Sequence, residues 1–150
     1  MQIHSLRAAW TQGIVFAVIT VGATAAGYGY LHRPFDSATL AIPVGELQAQ
    51  ATEGAALVQL HRAHQVSPAF VARHAAQLAG NVERVGDALR AKPARADLAG
   101  VRIRAMQLQA ALDEGMRALA SAGRSDAPDA GFESLAAQFK QLHQQIEAGS

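Results

Sequence analysis

Histidine is the residue type that comes closest to forming a chemical site in this chain. His61 and His64 lie three residues apart on a predicted helix, and His74 lies early on the next one. A turn near Val66–Ser67 predicts antiparallel pairing of these helices, with His61 opposite His74. Two histidines at positions i and i+3, with a third from a neighbouring helix, can bind zinc, nickel or copper. The three histidines are therefore the candidate metal ligands.

The alternative is that these histidines are solvated surface groups without a ligand. Arg62 and Arg73 adjoin two of them, no H-x-x-x-H motif with a flanking acid occurs, and the chain has no cysteine. A histidine on a charged helix surface needs no metal to explain it. On this interpretation the protein has no cofactor, and that is what we expect.

Nothing else in the sequence predicts catalysis or nucleic-acid binding. The 12 acidic residues are scattered along predicted helices, whereas a catalytic pair of carboxylates must share one cleft. The sequence contains no G-x-S-x-G, H-E-x-x-H, P-loop or G-x-G-x-x-G motif. The net charge of +1 provides no field that attracts a polyanion. We therefore expect a protein that is not an enzyme and binds no nucleic acid.

Composition and periodicity predict an all-α fold. The chain holds 34 alanines and 13 glutamines, which form helices well. Helices are predicted to begin at Ile42–Pro43 and at Ser67–Pro68, with a break at Lys92–Pro93 and a loop over 124–130. Four amphipathic segments joined in this way predict an antiparallel up-and-down four-helix bundle. The residues predicted to face its core are Val44, Leu47, Ala51, Gly54, Leu57, Val58, Leu60, Val71, Ala75, Leu78, Val82, Val85, Leu89, Leu98, Val101, Ala105, Leu108, Leu112, Gly115, Leu119, Phe132, Leu135, Phe139, Leu142 and Ile146.

Glycines interrupt these predicted helices at Gly54, Gly80, Gly86, Gly100 and Gly115. Each costs about 1 kcal/mol relative to alanine. Two explanations follow: helices approach each other closely at the glycines, or the monomer is marginal and is stabilised by dimerising or by a partner.

The N-terminal part has the features of a membrane anchor. Residues 8–32 contain no Asp, Glu, Lys or Arg, and about 20 apolar residues suffice for a helix to cross a bilayer. Trp10 precedes the apolar run, and Tyr28 and Tyr30 follow it. Trp10 and Tyr28 are separated by ~27 Å at the helical rise, which suits rings at the two headgroup levels. We predict a transmembrane helix over 8–31.

A cleaved signal peptide explains the same segment differently. Arg7 supplies a basic n-region, residues 14–21 an apolar h-region, and Ala23-Thr-Ala25 an A-x-A cleavage site. Cleavage near Ala25 or Ala26 would release a soluble helical protein.

Small residues at four-residue spacing mark the end of the segment. Such a strip lets two helices pack closely in lipid. Abundant alanine and glycine, or the small c-region of a signal peptide, would give the same pattern. The pairs are Gly22 with Ala26, Ala23 with Gly27, and Ala25 with Gly29.

The charges on either side of the segment favour a cytoplasmic N-terminus. Arg7 and the α-amino group lie before it, whereas Asp36 offsets Arg33 after it. The predicted layout is a cytoplasmic tail over 1–7, the transmembrane helix, a linker over 32–42 and an exported bundle over 43–148. Arginine exceeds lysine by 11 to 2, which suggests a GC-rich bacterial genome. We therefore expect a single-pass protein of the bacterial inner membrane, with its bundle in the periplasm.

Three arginines cluster around the start of the third predicted helix. Arg95, Arg102 and Arg104 would face the membrane-proximal end of the bundle and could contact anionic lipid headgroups. Asp87 and Asp97 dilute this charge, so the alternative is a solvated face.

The favoured function is a non-catalytic interaction, accessory or scaffold module of the bacterial envelope. Its expected partners are the bilayer and either a membrane or envelope protein or a second copy of the chain. One alternative is a periplasmic sensor or a ligand-binding or metal-binding domain that works with a membrane partner. The other is a secreted soluble helical protein.

Overall fold

The computed structural model describes residues 33–122 and 131–149, which form four α-helices. Helix α1 spans Ser37–Arg62 and α2 spans Pro68–Ala91. A 3₁₀ turn over Ala96–Leu98 leads into α3, which spans Ala99–Ser121, and α4 spans Phe132–Ala148. The all-helical prediction is confirmed for this part of the chain.

The four helices form an up-and-down bundle. Helix α1 packs against α2 and α4, and α3 packs against the same two neighbours. Gln59, near the end of α1, donates a 2.8 Å hydrogen bond to Glu133 at the start of α4. Arg102, near the start of α3, donates a 2.8 Å hydrogen bond to the carbonyl of Leu89 near the end of α2. Sequential neighbours, and the first and last helices, therefore run antiparallel, as predicted.

The core consists almost entirely of the predicted positions. All of them are buried except two: Leu60, which is 39% exposed, and Val101, which is partly buried against the core. Helical periodicity thus identifies the inward face of each helix. The buried residues that the periodicity does not include are Phe35, Leu40, Pro43, Ala79, Gly86, Gln109 and Met116.

Close approach explains two of the interior glycines. A Cβ at Gly54 would lie 2.5 Å from the Met116 methyl group, and one at Gly86 would lie 2.6 Å from the amide carbon of Gln109. Gly80 and Gly100 have no such neighbour within 4 Å. The close approaches therefore occur where α3 meets α1 across the core and where it meets α2.

The prediction that the first helix begins at Ile42–Pro43 is wrong. Asp36 is the N-cap: its carboxylate accepts a 2.9 Å hydrogen bond from the backbone N–H of Thr39, and the Thr39 hydroxyl accepts one from the backbone N–H of Asp36. This reciprocal cap stabilises a helix start six residues before Pro43. Pro43 is buried inside α1, and residues 37–42 of the predicted linker are helical.

The entry to α1 is fixed to the connection between α2 and α3. The backbone N–H of Phe35 donates to the carbonyl of Pro93 at 2.8 Å, and the N–H of Arg95 donates to the carbonyl of Phe35 at 3.1 Å. The Phe35 side chain is buried. The chain therefore enters the bundle at the end where α2 ends and α3 begins.

None of the helices over residues 33–122 and 131–149 is long and apolar enough to cross a membrane. The predicted transmembrane helix over 8–31, its small-residue strip and its flanking aromatic residues lie outside these residues, as does the alternative cleavage site.

Substitution of Gly86 by alanine should destabilise the bundle. The new methyl group would displace the buried Gln109 amide, which donates to the Val82 carbonyl at 3.3 Å. We expect Gly86→Ala to lower the free energy of unfolding by about 1–3 kcal/mol, measured by urea denaturation followed by circular dichroism. Gly80→Ala on the same helix should raise it by about 0.5–1 kcal/mol. Equal effects of the two variants would contradict the close approach.

Acid should weaken the cap of α1. The pKa of Asp36 is lowered from its ordinary value of 3.8, first by the hydrogen bonds that the Thr39 side chain and backbone donate to its carboxylate. The stabilisation by ionised Asp36 is therefore complete above the unfolded-state pKa, and it is lost as the pH falls through the lower folded-state pKa. Asp36→Asn keeps a cap acceptor that does not titrate, so its melting temperature should fall less steeply with acid. If the melting temperatures of Asp36→Asn and the wild type fell equally with decreasing pH, the proposed contribution of ionised Asp36 would be contradicted.

Candidate functional site on the first helical hairpin

The turn between α1 and α2 places His64 in an unusual backbone conformation. Helix α1 ends with the Gln65 N–H donating to the Leu60 carbonyl and the His64 N–H donating to the His61 carbonyl, at 2.9 and 3.0 Å. His64 has a φ of 56°. This is a Schellman motif, in which a left-handed residue, most often glycine, ends the helix. His64 therefore lies beyond α1, and the i,i+3 helical pair predicted with His61 does not form.

His74 pairs with Glu53 rather than lying opposite His61. Its Nε2 lies 2.7 Å from a carboxylate oxygen of Glu53, and its ring stacks on Phe70 at a centroid distance of 5.5 Å. The predicted register is wrong because the Schellman motif ends α1 at Arg62, before the turn predicted near Val66–Ser67. His74 consequently lies level with the middle of α1.

The three predicted metal ligands are not brought together. His61 is partly buried, and its Nδ1 has no hydrogen-bond partner in the described structure. Among residues 33–122 and 131–149, no three His, Asp or Glu side chains form a group that could hold a metal ion. The three histidines therefore lie in different local environments: His61 is half-buried, His64 ends α1, and His74 contacts Glu53 across the α1–α2 seam.

The arginines near the start of α3 make contacts within the bundle. Arg102 also donates to the Arg90 carbonyl at 3.4 Å and so helps to cap the end of α2. Arg104 donates to the Gln138 side chain of α4 at 2.7 Å. Arg95 forms a 3.3 Å ion pair with Asp97. Each of the three therefore has a structural contact of its own.

Grooves lie along seams between the described helices. One of about 440 Å³ runs between α2 and α3 over small side chains, and it is bordered by a 3.4 Å ion pair between Arg117 and Glu83. A hydrogen bond from Arg117 to Asp113, and the charges of Asp113 and Glu83, raise the pKa of Arg117. The grooves between α1 and α4 and between α3 and α4 measure about 280 and 210 Å³.

Exposed apolar side chains concentrate on the outer side of the α1–α2 hairpin. Four large apolar side chains of the described bundle are clearly exposed, and three of them lie here: Ile42 at 63%, Leu60 at 39% and Phe70 at 49%. Ile42, Glu53 and Leu60 are spaced by 11 and 7 residues, so they share one side of α1. Phe70 and His74 are four residues apart on α2. The contact between Glu53 and His74 joins the two helices at this surface.

We call this surface the hairpin face. It consists of Ile42, Glu46, Ala49, Glu53, Ala56 and Leu60 on α1, and of Phe70, Arg73, Gln77, Asn81 and Arg84 on α2.

The hairpin face is not among the sites predicted from the sequence. A signal was present: Ile42 lies off the apolar stripe of its helix, and Phe70 lies off the stripe of the next. The spacing assigns Leu60 to the core because it follows Leu57 by three residues. Periodicity alone does not separate a residue at the edge of a stripe from one beyond it.

Comparisons of the chain with protein-family models, with curated proteins and with solved structures each give no match.

Replacement of His64 by glycine should stabilise the protein. A left-handed conformation costs a residue with a Cβ about 1 kcal/mol or more, and glycine avoids this cost. We expect His64→Gly to raise the free energy of unfolding by about 1 kcal/mol, measured by urea denaturation. His64→Ala keeps the Cβ and should gain little. A loss of stability in His64→Gly would contradict the assigned role of His64 as a helix end.

Proposed function

We propose that the protein is a non-catalytic interaction module of the bacterial envelope, anchored in the inner membrane by residues 8–31 with its bundle in the periplasm. The observation that carries the proposal is the contrast between a closed core and the hairpin face. All four apolar stripes are buried against one another within the described bundle. Three of its exposed large apolar side chains nevertheless lie on one face, and exposed apolar patches mark many protein-binding surfaces.

The polar groups of the described bundle support a non-catalytic function. His74 contacts Glu53, and Arg117 contacts both Asp113 and Glu83. Gln109 is the buried polar side chain, 4% exposed, and its amide donates to a backbone carbonyl. These are contacts between helices or between helical turns, and they position the helices rather than a reacting group.

The proposed anchor is supported by the sequence that precedes the bundle. The uncharged run ends at His32, and Arg33 and Pro34 alone separate it from Phe35, which is fixed by two backbone hydrogen bonds. On this proposal the linker that joins the anchor to the bundle is only a few residues long.

The location of the native, untagged protein tests the anchor. We expect the full-length chain, by intact mass, in the membrane pellet after carbonate extraction, because an uncharged helix of this length partitions into the bilayer. A soluble product that starts near Ala26 or Gly27 would overturn the membrane-anchored proposal and would favour a secreted helical protein.

A further inference from the structure

The two helices of the hairpin face carry charges of opposite sign. The charged residues of the α1 row are Glu46 and Glu53, and those of the α2 row are Arg73 and Arg84. All four are exposed. Among the described residues, Glu46, Arg73 and Arg84 form no ion pair, whereas Glu53 pairs with His74. The face is therefore an acidic strip beside a basic strip, with apolar side chains along both.

The contact between Glu53 and His74 fixes the relative height of residues on the two rows. Because α1 and α2 are antiparallel, each step towards the start of α1 is matched by a step towards the end of α2. Arg73 consequently lies level with Glu53, and Gln77 lies level with Ala49. Phe70 and Leu60 lie within one turn of each other in height, ~4.5 Å along the helices. Glu46 and Arg84 are offset by the same amount.

We propose that two copies of the chain dock through the hairpin face, around a twofold axis parallel to the helices. This axis places α1 of one copy against α2 of the other and leaves all heights unchanged. Glu53 then faces Arg73 of the second copy, Glu46 faces Arg84, and Leu60 packs beside Phe70. Each contact occurs twice, as an isologous interface requires.

Two orientations of a twofold axis bring the two hairpin faces together, and the charges on the face favour the axis parallel to the helices. An axis perpendicular to the helices would place α1 on α1 and α2 on α2. Glu46 and Glu53 would then face the same acidic row, and Arg73 and Arg84 the same basic row. Like charges in contact across an interface disfavour that arrangement.

The parallel arrangement also agrees with the proposed anchor. It places the Phe35 ends of both bundles on the same side, as two chains in one membrane require; in this respect alone the inference rests on the proposed function. The face is two helices wide and extends from Ile42 to Leu60, ~20 Å by ~27 Å. The accessible surface of the side chains on this face exceeds its flat area. It is comparable to the surface that one partner buries in a standard interface, about 800 Å².

Disulfide trapping tests the arrangement cleanly, because the chain contains no cysteine. Two differently tagged full-length chains, Ala49→Cys and Gln77→Cys, are expressed together and oxidised with copper phenanthroline; both positions are exposed. We expect a disulfide between the two different chains, since residue 49 of one copy lies opposite residue 77 of the other. Gln144→Cys, an exposed position on α4, replaces either partner as the control and should yield at least tenfold less cross-linked dimer.

The cross-linked species distinguish the arrangements. A predominant disulfide between two Ala49→Cys chains would indicate α1 against α1 and would overturn the proposal. Cross-linking no greater than in the Gln144→Cys control would also overturn it. The readout is independent of the anchor: a mixed disulfide in a soluble, cleaved product would uphold the dimer while the proposed membrane location failed.

Charge reversal provides a second, independent measurement on residues that have no ion pair in the described bundle. Glu46→Arg and Arg84→Glu should each weaken the dimer at least tenfold, measured as the dissociation constant by fluorescence correlation in detergent. The double variant, with both charges exchanged, should recover most of the affinity because attraction is restored across the interface. Single variants that bind as tightly as the wild type would contradict the proposed pairing.

Discussion

The structure depends on the mutual burial of four narrow apolar stripes. Most of the stability of a helix with one apolar face comes from packing that face against other helices, so each helix buries its stripe against its neighbours. A minority of the buried positions are alanine or glycine, which remove little apolar surface from water. Close approach compensates for this: Gly54 admits the Met116 side chain and Gly86 admits the amide of Gln109. The core is therefore filled mainly by large apolar side chains, and at these two glycines a side chain of another helix occupies the space that a Cβ would take.

This constraint also determines where polar chemistry is found. Gln109 is the buried polar side chain of the described bundle, and its amide donates to the backbone of the adjacent helix. The other polar contacts lie on seams and at helix ends, where Asp36 and Arg102 satisfy backbone groups that would otherwise lack partners. The proposed function uses the outer surface, where three of the four exposed large apolar side chains of the described bundle lie on the hairpin face.

The sequence predicts the architecture well because a core stripe is a repeated signal. Val82, Leu112 and Phe139 are fully buried members of stripes that repeat over several turns, so an error at one position does not change the helix face. Local features are predicted less well because each depends on a single residue. Pro43 favours a helix start that the Asp36–Thr39 cap overrides. His64 adopts a conformation usually given to glycine, and this one residue moves the register of His74 from His61 to Glu53.

We propose an intact, anchored chain that works through its surface and pairs with a second copy. Native mass spectrometry of the untagged protein, released from membranes in a mild detergent, tests both parts at once. We expect a particle of two full-length chains of 15.7 kDa each. A single chain that lacks its first ~25 residues, the length of a removed signal peptide, would contradict it.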